Sequence, residues 1–275
     1  MNFAGDEIEI IHPDLPRGRF RSVLFDFDGT LSLIREGWPQ VMIPMMVDVL
    51  RETGTPEGPD DLTAAVEEFV MRLNGRQTIY QMIQLADEVR RRGGQPHDPL
   101  HYKHRYHELL MHRIRNRLAL LESGASAAED WAVPGSHALL EDLRHRGLTL
   151  YLASGTDLQY VQREAELLGL AAYFGEHIYG AVDDYQNFSK QLVIERIVSD
   201  HGLRGEELLG FGDGFVEIEE VKKVGGVAVA VASDEVNRRG VNAWKRDRLI
   251  RAGADVVIPE YRGHERLLRF LFDDT

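Results

Sequence analysis

The stretch Val23-Leu24-Phe25-Asp26-Phe27-Asp28-Gly29-Thr30-Leu31 constrains this chain more than any other. Ser22 to Phe27 is apolar on both alternating faces and reads as a short buried strand, bounded by Arg21 and Gly29. A carboxylate at the end of such a strand is costly unless a cation sits beside it. Side chains alternate along a strand, so the reading places Asp26 and Asp28 on one face, with Phe27 pointing the other way. At the carboxyl end of a parallel sheet both would stand where open α/β sheets bind ligands. Carboxylates this close repel unless a hard cation lies between them or one keeps a proton. Gly29 allows a sharp turn, and Thr30 brings a hydroxyl and an N–H close to it.

The remainder of the chain supplies a fold in which such a strand is buried. From Trp131 onward strands and helices alternate, the pattern of a parallel sheet. Strands are predicted near 148–153, 177–181, 208–212, 227–232 and 254–258, with helices from Ser136 to His145, Asp157 to Leu168, Ser189 to Ser199 and Glu217 to Val224. Between the first strand and this alternation the apolar spacing is helical for about a hundred residues. Four helices are predicted there: Val41 to Leu50, Asp61 to Leu73, Thr78 to Arg92 and Leu100 to Leu121. Arg90, Arg91 and Arg92 suit the negative end of the third helix dipole. The fold class is therefore α/β: a Rossmann-like parallel sheet core, 1–32 and 131–275, with an inserted α-helical cap domain, 33–130. A block attached at both ends beside an acidic strand end suits a lid, with hinges at Leu31 to Gly37 and Glu129 to Gly135. Ile8, Ile10 and Ile11 hint at a further strand near the amino terminus.

Composition narrows the partners. A formal net charge of −13 disfavours nucleic acid and anionic membranes, because a phosphate backbone demands a basic footprint. A small anionic substrate stays compatible with it, since a metal and a few local cations outweigh the global field. With no cysteine there is no disulfide, thiolate nucleophile or Cys-rich zinc site. The acidic amino terminus does not read as a signal peptide, and no apolar run approaches a membrane span. The expected location is cytoplasmic, and the oligomeric state is left open.

Four features fall at strand ends or helix starts: Asp26 with Asp28, Ser154, Lys190, and Asp213 with Glu217. Ser154-Gly155-Thr156 reads either as an anion site of hydroxyl and helix-start N–H groups or as an ordinary N-cap. Lys190 stands in the first turn of its helix, where the dipole disfavours a cation unless an anion is bound. Gly212-Asp213-Gly214 puts another carboxylate at a strand end, with Glu217 one turn later. A divalent cation held by Asp26 and Asp213 would relieve the crowding, and an oxygen-only site with substrate phosphate suits Mg²⁺.

In this order the motifs resemble those of the haloacid dehalogenase-like superfamily, over roughly 20–32 and 131–260. The resemblance implies that Asp26 is the nucleophile forming an aspartyl-phosphate and that Asp28 protonates the leaving oxygen. It implies phosphate binding by Ser154 and Gly155, with Thr30 beside them, and a Lys190 that steadies both nucleophile and phosphoryl group. The implied metal set is Asp26, the Asp28 backbone carbonyl, Asp213 and Glu217. Glu217 stands where many members carry Asp, so it would act directly or through water. Asp28 is absent from dehalogenase members, which points away from carbon–halogen chemistry. Lys103, the sole lysine of the insertion, lies in a polar His101-Tyr102-Lys103-His104-Arg105 stretch that does not suit a Schiff base. The helical insertion resembles that of phosphoglycolate phosphatase and β-phosphoglucomutase relatives. The implied activity is a Mg²⁺-dependent phosphatase acting on a small phosphomonoester, with a sugar phosphate the leading class. A sugar phosphomutase and a non-catalytic phosphometabolite-binding regulator are the alternatives. Arg76, Arg35 and Trp38 are the candidate substrate contacts, and the histidines at 97, 101, 104, 107 and 112 read as a polar helix face.

Overall fold

The computed structural model describes residues 8–182, 189–200 and 202–273. Residues 1–7, on which the reading of the amino terminus partly rests, lie outside them. The chain forms two compact units, residues 37–119 and the described residues before 37 together with those from 120 onward. Leu33 to Glu36 and Leu120 to Asp130, which the sequence reading grouped with the insertion, cluster with the sheet unit.

The sheet unit is a doubly wound α/β core. Its described strands are β1 (Glu9–Ile10), β2 (Ser22–Phe25), β3 (Thr149–Asp157), β4 (Ile178–Ala181), β5 (Leu208–Gly212), β6 (Val227–Val231) and β7 (Val256–Ile258). They are ordered β1-β7-β6-β5-β2-β3-β4, all neighbours parallel except β1 on β7. The chain moves outward from β2 through β3 to β4, then returns to place β5 on the other side of β2. The switch point therefore lies between β2 and β5, whose carboxyl ends carry Asp26 and Asp213. The unbroken apolar runs of β2 and β6 follow from cover on both faces. On one face Leu24, Tyr151, Ala228 and Ala230 pack with Val193 and Ile197 of α8 (Lys190–Asp200), Ile218 and Val221 of α9 (Phe215–Lys223), and Leu249 of α10 (Ala243–Arg251). The unit also holds α5 (Ser136–His145), α6 (Leu158–Leu167), α7 (Ala171–Phe174) and α11 (His264–Phe272). Phe25 stacks on Phe211 across the β2–β5 seam, ring centroids 4.7 Å apart.

The helical unit is made by α1 (Pro39–Arg51), α2 (Pro59–Arg72), α3 (Thr78–Arg91) and most of α4 (Pro99–Glu122). Pro39 and Pro59 occupy first turns, where the missing N–H costs nothing. Met42, Met45, Met46, Val49 and Leu50 of α1 form the buried stripe expected of them. Gln81 of α3 donates to the Val70 carbonyl of α2 at 3.1 Å. Of the arginine run, Arg92 is half-buried and ion-paired to Glu57 and Glu88, while Arg90 and Arg91 pair along the helix surface. α10 and α11 have no counterpart in the sequence reading, and α10 matters for the site.

Candidate active site

The strand β2 ends at Phe25, one residue short of the first carboxylate. The Asp26 N–H still donates to the Phe211 carbonyl at 3.0 Å, so its backbone continues the ladder with β5. The chain then folds tightly: the N–H groups of Thr30, Leu31 and Ser32 all donate to the Phe27 carbonyl. Gly29 makes this possible with φ of +78°. Asp26 and Asp28 are thus not neighbours on one strand face. The turn sends them to different partners, and that separation distinguishes their chemistry.

Asp26 is buried among charges. Its Oδ1 accepts from Lys190 Nζ at 2.7 Å, and the same ammonium lies 3.1 Å from Glu217 Oε1. Asp26, Asp213 and Glu217 offer oxygens within 4.8 Å of one another. Burial pushes the Asp26 carboxyl up, Lys190 opposes this, and Glu217 and Asp213 add to the push. Burial also resists the charge of Glu217, but Lys190 together with hydrogen bonds from Asp26 and the backbone holds that carboxyl below its ordinary range. Lys190 remains firmly protonated, because Asp26 and Glu217 outweigh its desolvation.

Asp28 faces a different set. Its Oδ2 accepts from Thr156 Oγ1 at 2.8 Å and from Ser154 Oγ at 3.4 Å. Arg35 Nε lies 3.7 Å from its Oδ1, with the guanidinium forked onto buried Glu164 at 2.6 to 3.1 Å. Burial pushes the Asp28 carboxyl up to about 6, against the pull of Arg35 and with a further push from Glu164. Two hydroxyl donors and a pKa near neutrality suit a group that gives and takes a proton.

Several residues sit differently from the sequence reading. β3 runs on to Asp157 through a register irregularity after Ala153, and α6 begins only at Leu158. Ser154 and half-buried Gly155 therefore belong to an irregular strand end rather than a helix N-terminus, and Ser154 Oγ accepts the Thr156 N–H at 3.0 Å. Thr30 is fully buried, and its hydroxyl accepts the Asp213 N–H at 3.0 Å, so it shapes the β2–β5 seam. Arg35 is buried against Glu164 rather than presented to solvent. In the helical unit Trp38 is half-buried at the start of α1, and Arg76 is exposed with its guanidinium 5.9 Å from the Tyr80 ring centroid. Among the described residues Asp26, Asp213 and Glu217 form a group of three acids whose oxygens lie close enough to hold a metal.

Sequence reading missed Thr156 as a partner of Asp28, Glu164 as the anchor of Arg35, and a second buried ammonium. Lys245 Nζ lies 2.8 Å from Asp213 Oδ2 and 2.5 Å from Glu235 Oε1. A signal was present in Asn242-Ala243-Trp244-Lys245, because Asn242 caps α10 by accepting the Lys245 N–H.

The residues fit a small hard cation. The donor set is oxygen only, and Glu217 Oε2 is buried without a hydrogen-bond partner. Gly29 and Gly212 bring the backbone close: a Cβ would lie 2.3 Å from Asp213 Oδ2 at the first and 2.2 Å from Glu217 Cγ at the second. Such crowding of carboxylates with oxygen donors matches Mg²⁺ better than a softer metal.

Comparison with known proteins agrees with this geometry. The haloacid dehalogenase-like hydrolase family model matches residues 20–225. No curated protein is detectably similar in sequence. Among solved structures, β-phosphoglucomutase from Clostridium difficile is 11% identical, covers 92% of this chain and 98% of its own, and superposes with a TM-score of 0.60. A predicted phosphoglycolate phosphatase from Haemophilus somnus is 16% identical, with coverages of 90% and 98% and a TM-score of 0.57. A conserved haloacid dehalogenase-like protein from Agrobacterium tumefaciens is 19% identical, with coverages of 90% and 97% and a TM-score of 0.57. These likenesses are of fold. With a family match spanning both carboxyl-end motifs of the sheet and the helical insertion between them, the chain belongs to the haloacid dehalogenase-like hydrolases.

Proposed function

We propose that this hydrolase is a Mg²⁺-dependent phosphatase of small phosphorylated metabolites, with sugar phosphates the leading class. The observation that carries the reading is the contrast in surroundings between the two aspartates. Asp26 is ion-paired to Lys190 beside Asp213 and Glu217, whereas Asp28 is pushed up to about 6 among hydroxyl donors. Two structural neighbours, one named a β-phosphoglucomutase and the other a predicted phosphoglycolate phosphatase, bear names that both denote phosphoryl chemistry on small molecules, which supports the reading.

Phosphoryl transfer needs charge neutralisation and in-line positioning more than a strong nucleophile. In this reading an Asp26 oxygen attacks phosphorus, the bond to the leaving oxygen breaks, and Asp28 delivers its proton to that oxygen. Water then attacks the aspartyl-phosphate, Asp28 takes the water proton, and inorganic phosphate leaves with Asp26 restored. Lys190 neutralises charge on Asp26 and on the transferring group, and the Ser154 hydroxyl addresses a phosphate oxygen. Bound Mg²⁺, held by Asp26, Asp213, Glu217 and the Asp28 carbonyl, would supply further neutralisation of the equatorial oxygens. We assign the cap role to the helical unit because the chain inserts it between β2 and the rest of the sheet.

Asp26→Asn is expected to abolish phosphate release across a phosphoester panel with Mg²⁺ while leaving the far-UV circular dichroism unchanged. Full turnover in that variant would remove Asp26 as nucleophile. Stoichiometric inorganic phosphate and dephosphorylated product are expected from the wild type. An isomerised sugar phosphate without phosphate release would establish the mutase instead, and absence of turnover on every ester would leave the regulator.

A further inference from the structure

Lys245 has no part in the roles described above, yet it is one of the most enclosed cations in the sheet unit, 8% exposed. Its ammonium sits between Asp213 Oδ2 at 2.8 Å and Glu235 Oε1 at 2.5 Å. Its backbone is fixed as well, because Asn242 Oδ1 accepts the Lys245 N–H at the start of α10. Burial opposes the charge of Lys245, but Asp213 and Glu235 outweigh it and keep the amine protonated.

Gly29 closes on the same Asp213 oxygen: a Cβ there would lie 2.3 Å from Oδ2. The two Asp213 oxygens are therefore unequal. Oδ2 is hydrogen-bonded to an ammonium and walled by backbone, whereas Oδ1 faces the Thr30 hydroxyl at 3.5 Å. The Asp213 N–H is held by that same hydroxyl at 3.0 Å, which fixes the backbone from which the carboxylate projects. A cation that took both Asp213 oxygens at once would meet a like charge at Oδ2.

This asymmetry matters because the two common hard cations want different things from a carboxylate. Mg²⁺ demands near-octahedral geometry at short distances and takes single oxygens. Ca²⁺ accepts six to eight oxygens at longer distances and readily takes both oxygens of one carboxylate. We propose that Lys245, anchored by Glu235, is a specificity-determining positioning residue that restricts Asp213 to one ligand oxygen and so makes the centre select Mg²⁺ over Ca²⁺. The proposal rests on the metal-dependent reading above and adds to it a reason for cation choice.

Calorimetric titration of Mg²⁺ and of Ca²⁺ into the full chain, without substrate, tests it. The variants are Lys245→Met, Lys245→Arg and the double replacement E235L/K245M. The double variant removes Glu235 together with Lys245, so that Glu235 is not left buried without its cation if K245M folds poorly. K245M and E235L/K245M are expected to raise the ratio of Ca²⁺ to Mg²⁺ affinity by about tenfold or more, the scale on which outer partners of metal ligands act. K245R, which keeps a cation on Oδ2, is expected to hold the ratio near that of the wild type. A wild type that binds Mg²⁺, with the same ratio in E235L/K245M, overturns the role of Lys245. A wild type that binds neither cation overturns the metal reading itself.

Discussion

Asp28 is the residue whose surroundings set it most clearly apart from its neighbour in sequence. It differs from Asp26 by two positions, yet it faces Thr156, Ser154 and Arg35 where Asp26 faces Lys190 and Glu217. Burial brings its carboxyl up to about 6, so the donor form is present below that pH and is lost above it. For substrates with a poor alkoxide leaving group, single-turnover phosphorylation of the enzyme is expected to slow as pH rises through about 6. Asp28→Asn should remove that limb, with a smaller loss on an activated aryl phosphate, whose oxygen needs no proton. The same shift has a stability consequence. The folded value is raised, so the stabilisation is present below the ordinary carboxylate range and fades as pH climbs to about 6. In chelator, wild type should lose up to about 3 kcal/mol relative to D28N across that window, measured by urea unfolding.

At the scale of elements, α6 and the segment after β2 are tied by a buried charge pair. Arg35 and Glu164 are both nearly inaccessible, and the guanidinium contacts both carboxylate oxygens. Removing Glu164 takes from buried Arg35 its nearest counter-charge, and breaking a buried pair in this way costs about 3–5 kcal/mol. Glu164→Ala is therefore expected to destabilise the protein by that order, and R35M/E164M by much less, in a denaturant double-mutant cycle. Because Arg35 also lies 3.7 Å from Asp28, the double variant should still lose turnover even where its stability recovers. The pair was not legible in the sequence: 129 residues separate its members, and nothing local distinguishes Glu164 from other acids on an amphipathic helix. Arg35 read as a substrate contact because its position beside the acidic strand end was visible and its partner was not.

For the whole molecule, the sheet sets the site by holding two strand ends in register. Phe25 pairs with Phe211 across β2 and β5, so Asp26 and Asp213, each just beyond its strand, come together at the switch point. Phe211→Ala should cost about 3–5 kcal/mol in urea unfolding, the usual range for a buried aromatic truncated to Ala, because Phe25 loses its stacked neighbour. The alternation of strands and helices, the helical insertion, the strand-end placement of Asp26 and Asp213, and the place of Lys190 in the first turn of α8 were all determined by the sequence itself. Hydrophobic period and turn residues act over a few positions, and a local pattern suffices to express them. Tertiary structure alone decided which groups meet. It put Thr156 and Ser154 on Asp28, closed Thr30 against Asp213, buried Arg35 on Glu164, and brought Lys245 from a helix unforeseen in the sequence to an oxygen of Asp213. Ion pairs depend on distance and burial in space, which chain spacing does not encode. The carboxylate pair that first marked the chain was thus visible from residue order, while the different surroundings of its two members depended on contacts made across the fold.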